Sequence, residues 1–264
     1  MRFRHRFLSP VVGIAAALSI AITPTSSQAI VGGGNASAGE YPWMAAVYLG
    51  SPNGGQFCGG TLVRPTIVIT AAHCILGAPA PVISGVMIGS TTLNSGGELI
   101  PAAGFVIHPA WNAGLNIFDI AAIRLTRASL LGTPLPWATS ADAQWFEAGD
   151  TATVIGWGAT REGGSGSNAL KEATVPIVSD AGCSDAYGVQ YVAYQHICAG
   201  YPQGGTDTCQ GDSGGPMMVR NGSNQFILAG ITSWGVGCAE AGFPGVYSRV
   251  ANLTTFIDAV VLAS

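Results

Sequence analysis

Short apolar runs rich in β-branched residues recur along most of this chain, and Gly, Pro, Asn and Ser separate them. Many short runs with regular turn residues between them are typical of an antiparallel sandwich or barrel. The pattern therefore predicts an all-β fold. Strands are expected at Trp43–Leu49, Ile67–Thr70, Val86–Ile88, Phe105–His108, Ile120–Leu125, Thr151–Ile155, Thr174–Ile177, Phe226–Thr232 and Val246–Val250.

A helical pattern is clear only at the carboxyl end of the chain. Asn252 is the predicted N-cap of this helix, since Asn side chains accept hydrogen bonds from the free N–H groups of a first turn. A Pro-rich stretch, Thr133–Pro136, is predicted to connect two halves of the chain. The apolar positions of the predicted helix are Leu253, Phe256, Ile257, Val260 and Val261.

The first 29 residues have the pattern of a secretory signal peptide. Arg2, Arg4 and Arg6 precede an apolar stretch at Val11–Ile22, and the small residues of Ser27–Ala29 follow it. A membrane anchor is the alternative, but the apolar stretch has only about half of the ~20 residues that span a bilayer. We therefore expect removal of residues 1–29 and secretion from the cell, with a short propeptide such as 22–29 as the second possibility.

Composition agrees with an extracellular protein. The six cysteines are an even number, which favours disulfides and an oxidising compartment. The net charge is −4, and loss of three leader arginines makes it −4 − 3 = −7. A chain this acidic is not expected to bind nucleic acid or an anionic membrane.

Three short motifs carry groups suited to acyl-transfer chemistry. Thr208–Pro216 (TCQGDSGGP) holds Ser213 among glycines, which allow the backbone to come close to a substrate carbonyl. Thr70–Cys74 (TAAHC) supplies His73, and an imidazole that titrates near neutrality can serve as a general base. Phe118–Ala121 (FDIA) supplies Asp119, a carboxylate that can orient such a base.

These motifs, in the order His, Asp, Ser, closely resemble those of the trypsin-like serine endopeptidases of the chymotrypsin family. The resemblance covers residues 30–264. It implies two six-stranded antiparallel β-barrels, residues about 30–133 and 134–264, with a carboxyl-terminal α-helix and the active site between the barrels. It implies His73, Asp119 and Ser213 as the catalytic residues, and the N–H groups of Gly211 and Ser213 as an oxyanion hole. The chain departs from the family at Phe118, where a polar residue is usual.

The resemblance also implies how substrate is selected. Asp207 corresponds to the floor of the primary specificity pocket, where a carboxylate pairs with Arg or Lys and penalises apolar side chains. Gly235 and Gly245 correspond to the pocket walls, and Tyr187 to a supporting aromatic residue. Asn116 is expected to border the pocket for the preceding substrate residue.

Two further segments have counterparts in the family. Ser233, Trp234 and Gly235 resemble the segment that pairs with the substrate backbone as an added strand. Ile30 resembles the mature amino terminus, whose free ammonium group inserts beside the acid preceding the nucleophile, here Asp212. The family usually has Lys or Arg before this isoleucine, whereas this chain has Ala at position 29. Signal peptidase itself is therefore predicted to produce the active form.

Six cysteines allow 15 pairings, and arithmetic does not choose among them. The resemblance implies Cys58 with Cys74, Cys183 with Cys198, and Cys209 with Cys238. The segment 88–100, where relatives hold calcium, has Glu98 as its single acidic residue. Because calcium needs several oxygen ligands, no metal and no cofactor are predicted.

The predicted function is that of a secreted, extracellular serine endopeptidase that cleaves protein or peptide substrates after Arg or Lys. A monomer is expected, with protein inhibitors as candidate partners and no membrane or nucleic-acid partner. One alternative is a catalytically inactive homologue that binds partners, and another is an enzyme of apolar specificity, which Asp207 disfavours. Arg161, in a Gly- and Ser-rich loop, is predicted as the first site of self-cleavage, and His108 and His196 are predicted to be structural.

Overall fold

A computed structural model of the chain describes Met1 and residues 30–50, 55–76, 83–93 and 95–263. The predicted leader, apart from Met1, lies outside these residues. None of the helices in the described part of the chain has the length and apolar character needed to span a bilayer.

The first barrel contains six antiparallel strands in a closed ring, preceded by a two-residue strand, β1 (Gly34–Asn35). The six strands pair in the order β2-β3-β4-β7-β6-β5, and β2 pairs with β5 to close the ring. Their bounds are β2 (Met44–Leu49), β3 (Gln56–Arg64), β4 (Ile67–Thr70), β5 (Ile83–Ile88), β6 (Glu98–Ile107) and β7 (Ala121–Leu125).

The second barrel is also closed and antiparallel. Its ring follows the order β8-β9-β10-β13-β12-β11, and β8 pairs with β11 to complete it. The bounds are β8 (Thr151–Gly156), β9 (Lys171–Val178), β10 (His196–Ala199), β11 (Pro216–Arg220), β12 (Phe226–Trp234) and β13 (Gly245–Arg249). The predicted fold of two six-stranded barrels is therefore confirmed.

The amino-terminal end of the described segment packs on the second barrel. Strand β1 pairs with β9, and Val31 forms a two-way backbone bridge with Asp207. The Ile30 side chain is fully buried in the core of the second barrel. Residues 30–35 thus pack on the second barrel, although they precede the strands of the first barrel in the sequence.

Within the residues that the structure describes, three α-helices accompany the barrels: α1 (Ala72–Leu76), α2 (Asp180–Tyr187) and α3 (Thr254–Leu262). The carboxyl-terminal helix was predicted, and its Phe256, Ile257 and Val260 are buried as the pattern requires. The prediction of Asn252 as its N-cap is wrong. Asn252 lies in a 3-10 turn (Val250–Asn252), and its amide donates to the carbonyl of Tyr194 at 2.6 Å.

All six cysteines are in disulfides, and the three predicted pairs are confirmed. Cys58–Cys74 ties β3 to α1, which carries His73. Cys209–Cys238 ties the segment before Ser213 to the loop after β12. Two of the three disulfides therefore fix segments that meet at the cleft between the barrels.

Candidate active site

His73 and Asp119 face each other within the first barrel, on α1 and just before β7. The Nδ1 atom of His73 lies 2.7 Å from Oδ2 of Asp119, and the His73 backbone N–H donates to Oδ1 at 2.9 Å. Because a carboxylate can only accept, Nδ1 carries the proton and Nε2 is left as an acceptor. The Asp119 side chain is fully buried, whereas that of His73 is 30% exposed. The imidazole is thus held in one tautomer at the edge of solvent.

The second barrel brings Ser213 to the same place. The Gly59 N–H donates to the Ser213 carbonyl at 2.7 Å, and Cys74 Sγ lies 3.6 Å from that oxygen. No hydrogen bond within 3.5 Å joins the Ser213 hydroxyl to His73 among the described residues, and Nε2 lies 3.9 Å from Cys74 Sγ. Such bonds are often long in unliganded enzymes and shorten when substrate binds.

Two backbone N–H groups beside Ser213 are available as donors. In the described part of the chain, the N–H groups of Gly211 and Ser213 donate to no protein acceptor, whereas the intervening Asp212 N–H donates to Cys209. Gly211 has a φ of 96°, in the region that favours glycine, and its carbonyl accepts from Gln56 at 2.7 Å. This turn leaves two N–H groups free to donate hydrogen bonds to an anionic oxygen.

Ser233 has a contact that the sequence did not predict. Its hydroxyl donates to Oδ2 of Asp119 at 2.5 Å, so that this carboxylate accepts three hydrogen bonds. Ser248 also donates, to the Asp119 backbone carbonyl at 2.9 Å. Both serines lie on the second barrel, and they fasten Asp119 of the first barrel across the cleft. Alternation along β13 places Ser248 on the face opposite Tyr247, which is in the core of the second barrel, but nothing in the sequence indicates that either serine contacts Asp119.

A cavity of about 140 Å³ connects Ser213 with Asp207. All the predicted pocket residues, Asp207, Ser233, Trp234, Gly235 and Gly245, line it. A Cβ added at Gly245 would lie 2.5 Å from Oδ1 of Asp207, so a side chain there would displace the carboxylate. At Gly235 the nearest protein atom to such a Cβ is 3.9 Å away. Asn116 was predicted to border the pocket for the preceding substrate residue, which is a different site from this cavity, so that expectation stays a prediction.

The Asp207 carboxylate is buried at one end of this cavity. It is 5% exposed and accepts backbone N–H groups from Thr208 at 2.8 Å and from Ala239 at 3.2 Å. Burial raises its pKa to about 6, against the lowering effect of these hydrogen bonds. No Lys or Arg of the described residues pairs with it. A cationic group entering the cavity would supply the missing charge.

Aromatic packing supports the wall of the cavity. The Tyr187 ring packs edge to face on Trp234, with 4.8 Å between ring centroids, and its hydroxyl donates to the Pro244 carbonyl at 2.5 Å. Pro244 directly precedes Gly245 at the start of β13. Tyr187 therefore supports the part of the cavity wall that contains Trp234 and Gly245.

Asp212 is a second buried acid, next to Ser213. Its carboxylate accepts the N–H groups of Gly158 at 2.8 Å and Cys209 at 2.9 Å, and burial raises its pKa to about 7. A Cβ at Gly156 would stand 1.9 Å from Oδ1, so only glycine fits there. The described residues provide Asp212 with no cationic partner.

One group of metal-binding residue types occurs at the site. Cys58, His73 and Cys74 place potential ligand atoms within 4.8 Å of one another. Both cysteines are joined in a disulfide, so neither offers the thiolate that a metal requires. Glu98, the acid noted in the segment 88–100, is occupied by Arg127, Ser129 and backbone N–H groups.

Comparisons with known proteins agree with this geometry. The family model described as Trypsin matches residues 30–257, so the match begins at the residue after the predicted leader. The chain is 45% identical over 223 residues to a protein of Saccharopolyspora erythraea named Trypsin, covering 84% of this chain and 93% of that protein. It is 37% identical over 238 residues to Trypsin-1 of Astacus astacus, covering 87% and 99%. A Trypsin-like protease of Streptomyces glaucescens is 38% identical over 243 residues, covering 91% and 85%. These relatives do not favour the alternative of an inactive binding protein.

Proposed function

This chain belongs to the trypsin family of serine proteases, and from that premise we propose that it is a secreted endopeptidase that cleaves after arginine or lysine. The observation that carries the proposal is the buried, cation-free carboxylate of Asp207 at the end of a cavity that opens at Ser213. The charge of Asp207 supports a cationic side chain as its ligand, since an apolar group would leave the carboxylate without a partner.

The proposed reaction is acyl transfer through Ser213. As the Ser213 oxygen attacks the scissile carbonyl carbon, Nε2 of His73 takes the hydroxyl proton, and the N–H groups of Gly211 and Ser213 bind the oxyanion. Collapse of the tetrahedral intermediate breaks the C–N bond, and the imidazolium returns the proton to the leaving amine. Water then repeats the sequence on the acyl-enzyme and releases the carboxylic acid. Asp119 orients His73 and stabilises the imidazolium throughout.

Substrate binding is proposed to use two surfaces. The side chain of the residue before the scissile bond enters the cavity and pairs with Asp207, while its backbone pairs with the segment 233–235 as an added antiparallel strand. Ser233 contributes to substrate binding through its backbone, which lies in that segment, and to the catalytic group through its hydroxyl, which binds Asp119.

Processing before Ile30 is proposed to complete the site. Ile30 is buried in the second barrel, and Val31 pairs with Asp207, so the processed amino terminus lies close to the pocket. A free ammonium group there would provide the charge that Asp212 lacks. Cleavage after position 29 by signal peptidase would produce it without a tryptic step. N-terminal sequencing of secreted protein tests this, and a start upstream of Ile30 with activity only after trimming would contradict it.

A pair of chromogenic substrates tests the proposed function. Purified, processed protein should hydrolyse an arginyl substrate at least a hundred times faster than its phenylalanyl counterpart. Diisopropyl fluorophosphate should label the protein once and abolish the activity. Ser213→Ala should remove both labelling and activity, whereas Ser223→Ala, a change in an exposed turn, should affect neither. Failure of the unmodified protein to react with either reagent would refute the proposal.

A further inference from the structure

Two of the three residues before Asp119 have an unusual backbone conformation. Asn116 has a φ of 51° and Phe118 a φ of 56°, both in the left-handed region. Asn tolerates this region, but a bulky aromatic residue there is a genuine outlier. Such conformations persist only where the surroundings hold them, and they occur frequently at functional sites. The segment 116–118 therefore requires partners that prevent it from relaxing.

Two adjacent residues of the second barrel supply these partners. The side-chain carbonyl of Gln195 accepts the Phe118 N–H at 3.2 Å, and Nε2 of His196 lies 3.1 Å from the Asn116 carbonyl oxygen. Gln195 is 4% exposed and His196 is fully buried. Both left-handed residues are thus held from across the cleft.

The hydrogen bonds of His196 define which nitrogen carries its proton. Nδ1 accepts the Val192 N–H at 3.1 Å, so the proton resides on Nε2 and is donated to Asn116. Burial lowers the pKa of His196, which favours this neutral form. The ring also packs edge to face on Trp234, with 5.6 Å between centroids. His196 therefore links the segment before Asp119 to the wall of the cavity.

The Phe118 ring is fixed from the other side. It stacks on His108, with 4.5 Å between centroids and 14° between planes, and His108 in turn contacts Phe256 of α3. Gln195 is itself anchored, because its backbone carbonyl accepts the Arg249 N–H at 2.8 Å. A rigid support thus holds the strained backbone that leads into Asp119.

We propose that Gln195 and His196 are positioning residues that keep the segment 116–118 in its strained form and so present the Asp119 carboxylate to His73. The inference rests on the proposed function in one respect, since it affects catalysis only if Asp119 orients His73. It assigns a specific purpose to His196, which the sequence alone predicted to be merely structural.

Gln195→Ala tests the proposal directly. With its acceptor removed, Phe118 should relax to negative φ and turn Asp119 away from His73. The kcat for an arginyl ester should fall five- to twentyfold, while KM changes less than twofold. The proton on Nδ1 of His73, shared with a carboxylate, should give a far-downfield NMR signal that weakens in the variant. His196→Phe keeps a ring beside Trp234 but loses the bond to Asn116, and the same two effects are expected.

Rescue and a matched control distinguish positioning from general loosening. Glycine adopts a φ of 56° without steric cost. Adding Phe118→Gly to Gln195→Ala should therefore restore kcat to within threefold of Phe118→Gly alone. Asn252→Ala removes a bond to the neighbouring Tyr194 but none to the segment 116–118, and it should leave kcat and the proton signal unchanged.

Two results would overturn the inference. One is an equal loss of kcat in Gln195→Ala and Asn252→Ala; the other is an unchanged Nδ1 proton signal in Gln195→Ala. The NMR signal is recorded without substrate, so it tests the positioning of Asp119 even in a protein that ignores arginyl esters. Inactivity of the unmodified protein would count against the proposed function, whereas an intact signal in the variant counts against the positioning role.

Discussion

Replacement of Asp207 by asparagine should convert this enzyme into a poor one for basic substrates. The substitution preserves the shape of the side chain and removes its charge from a cavity of about 140 Å³. An arginine that enters the variant pocket is buried without a counter-charge. Breaking a buried charge pair by neutralising one partner costs about 3–5 kcal/mol. At 1.36 kcal/mol for each tenfold change, kcat/KM for an arginyl substrate should fall by about two hundred to five thousand times.

The assay compares arginyl and phenylalanyl substrates with the same leaving group. The phenylalanyl rate should not fall, because an apolar side chain gains nothing from the carboxylate and no longer buries its charge. Labelling of Ser213 by diisopropyl fluorophosphate should continue. Asp150→Asn is a matched control, since Asp150 also accepts a backbone N–H, from Glu147 at 2.8 Å, but lies outside the cavity. A loss of less than tenfold on the arginyl substrate, with labelling intact, would show that the charge of Asp207 does not select the substrate.

Three further outcomes follow from the contacts of the site. Ser233→Ala removes one hydrogen bond to the Asp119 carboxylate. Because hydrogen bonds to charged groups contribute about 1.5–3 kcal/mol, kcat should fall about tenfold or more. An unchanged kcat would show that this bond does not contribute to catalysis. Burial raises the pKa of Asp212 to about 7, so in protein not yet cleaved before Ile30 the folded state binds a proton more tightly than the unfolded state. As the pH rises from about 4 to about 7, the free energy of unfolding of this form should therefore fall by up to about 4 kcal/mol. Processed protein, tested as the Ser213→Ala variant in urea titrations, should lose at most half of that if the Ile30 ammonium pairs with the carboxylate as proposed. Equal losses in the two forms would exclude the pair. Mass spectrometry of aged enzyme should find the first internal cleavage after Arg161, which is exposed outside any strand, and an earlier cut elsewhere would show that loop exposure does not decide the order.

Much of the barrel architecture was readable because inward-facing residues on its strands are β-branched and apolar. The predicted run Ile67–Thr70 coincides with β4, and Phe226–Thr232 falls within β12. Strand β3 escaped prediction because two glycines, Gly59 and Gly60, interrupt it. Glycine has low strand propensity, but here a Cβ at position 59 would lie 2.9 Å from Gly215 of the second barrel. Close approach between the barrels thus explains Gly59, whereas a Cβ at position 60 would lie 2.7 Å from Val68 of the neighbouring strand β4. The local sequence pattern reveals neither contact.

Helix α2 was missed although a local signal existed. Ser179 is its N-cap, and its hydroxyl accepts the Gly182 N–H at 3.1 Å. The helix has only eight residues, and two of them, Cys183 and Tyr187, are buried, so its periodicity is too short to distinguish it from a loop.

Residues of the candidate site could be predicted where they lie in short motifs. Those whose role depends on contacts between the two barrels could not. His73, Asp119 and Ser213 each stand in a motif of several residues, and Asp207 directly precedes the motif that holds Ser213. The contacts of Ser233 and His196 with the segment around Asp119 join residues 114 and 80 positions apart. No spacing rule links such distant positions, so the support of the site emerged only from the fold.

The burial of Ile30 has a consequence for the lifetime of the proposed processed form of the protein. Aminopeptidases need an extended, accessible chain end. The Ile30 side chain, however, is fully buried, and the backbone N–H and carbonyl of Val31 both form hydrogen bonds with the backbone of Asp207. The end on which activity is proposed to depend is thus shielded from exoproteolysis. Acetylating reagents should likewise modify this amine in unfolded protein far faster than in native protein.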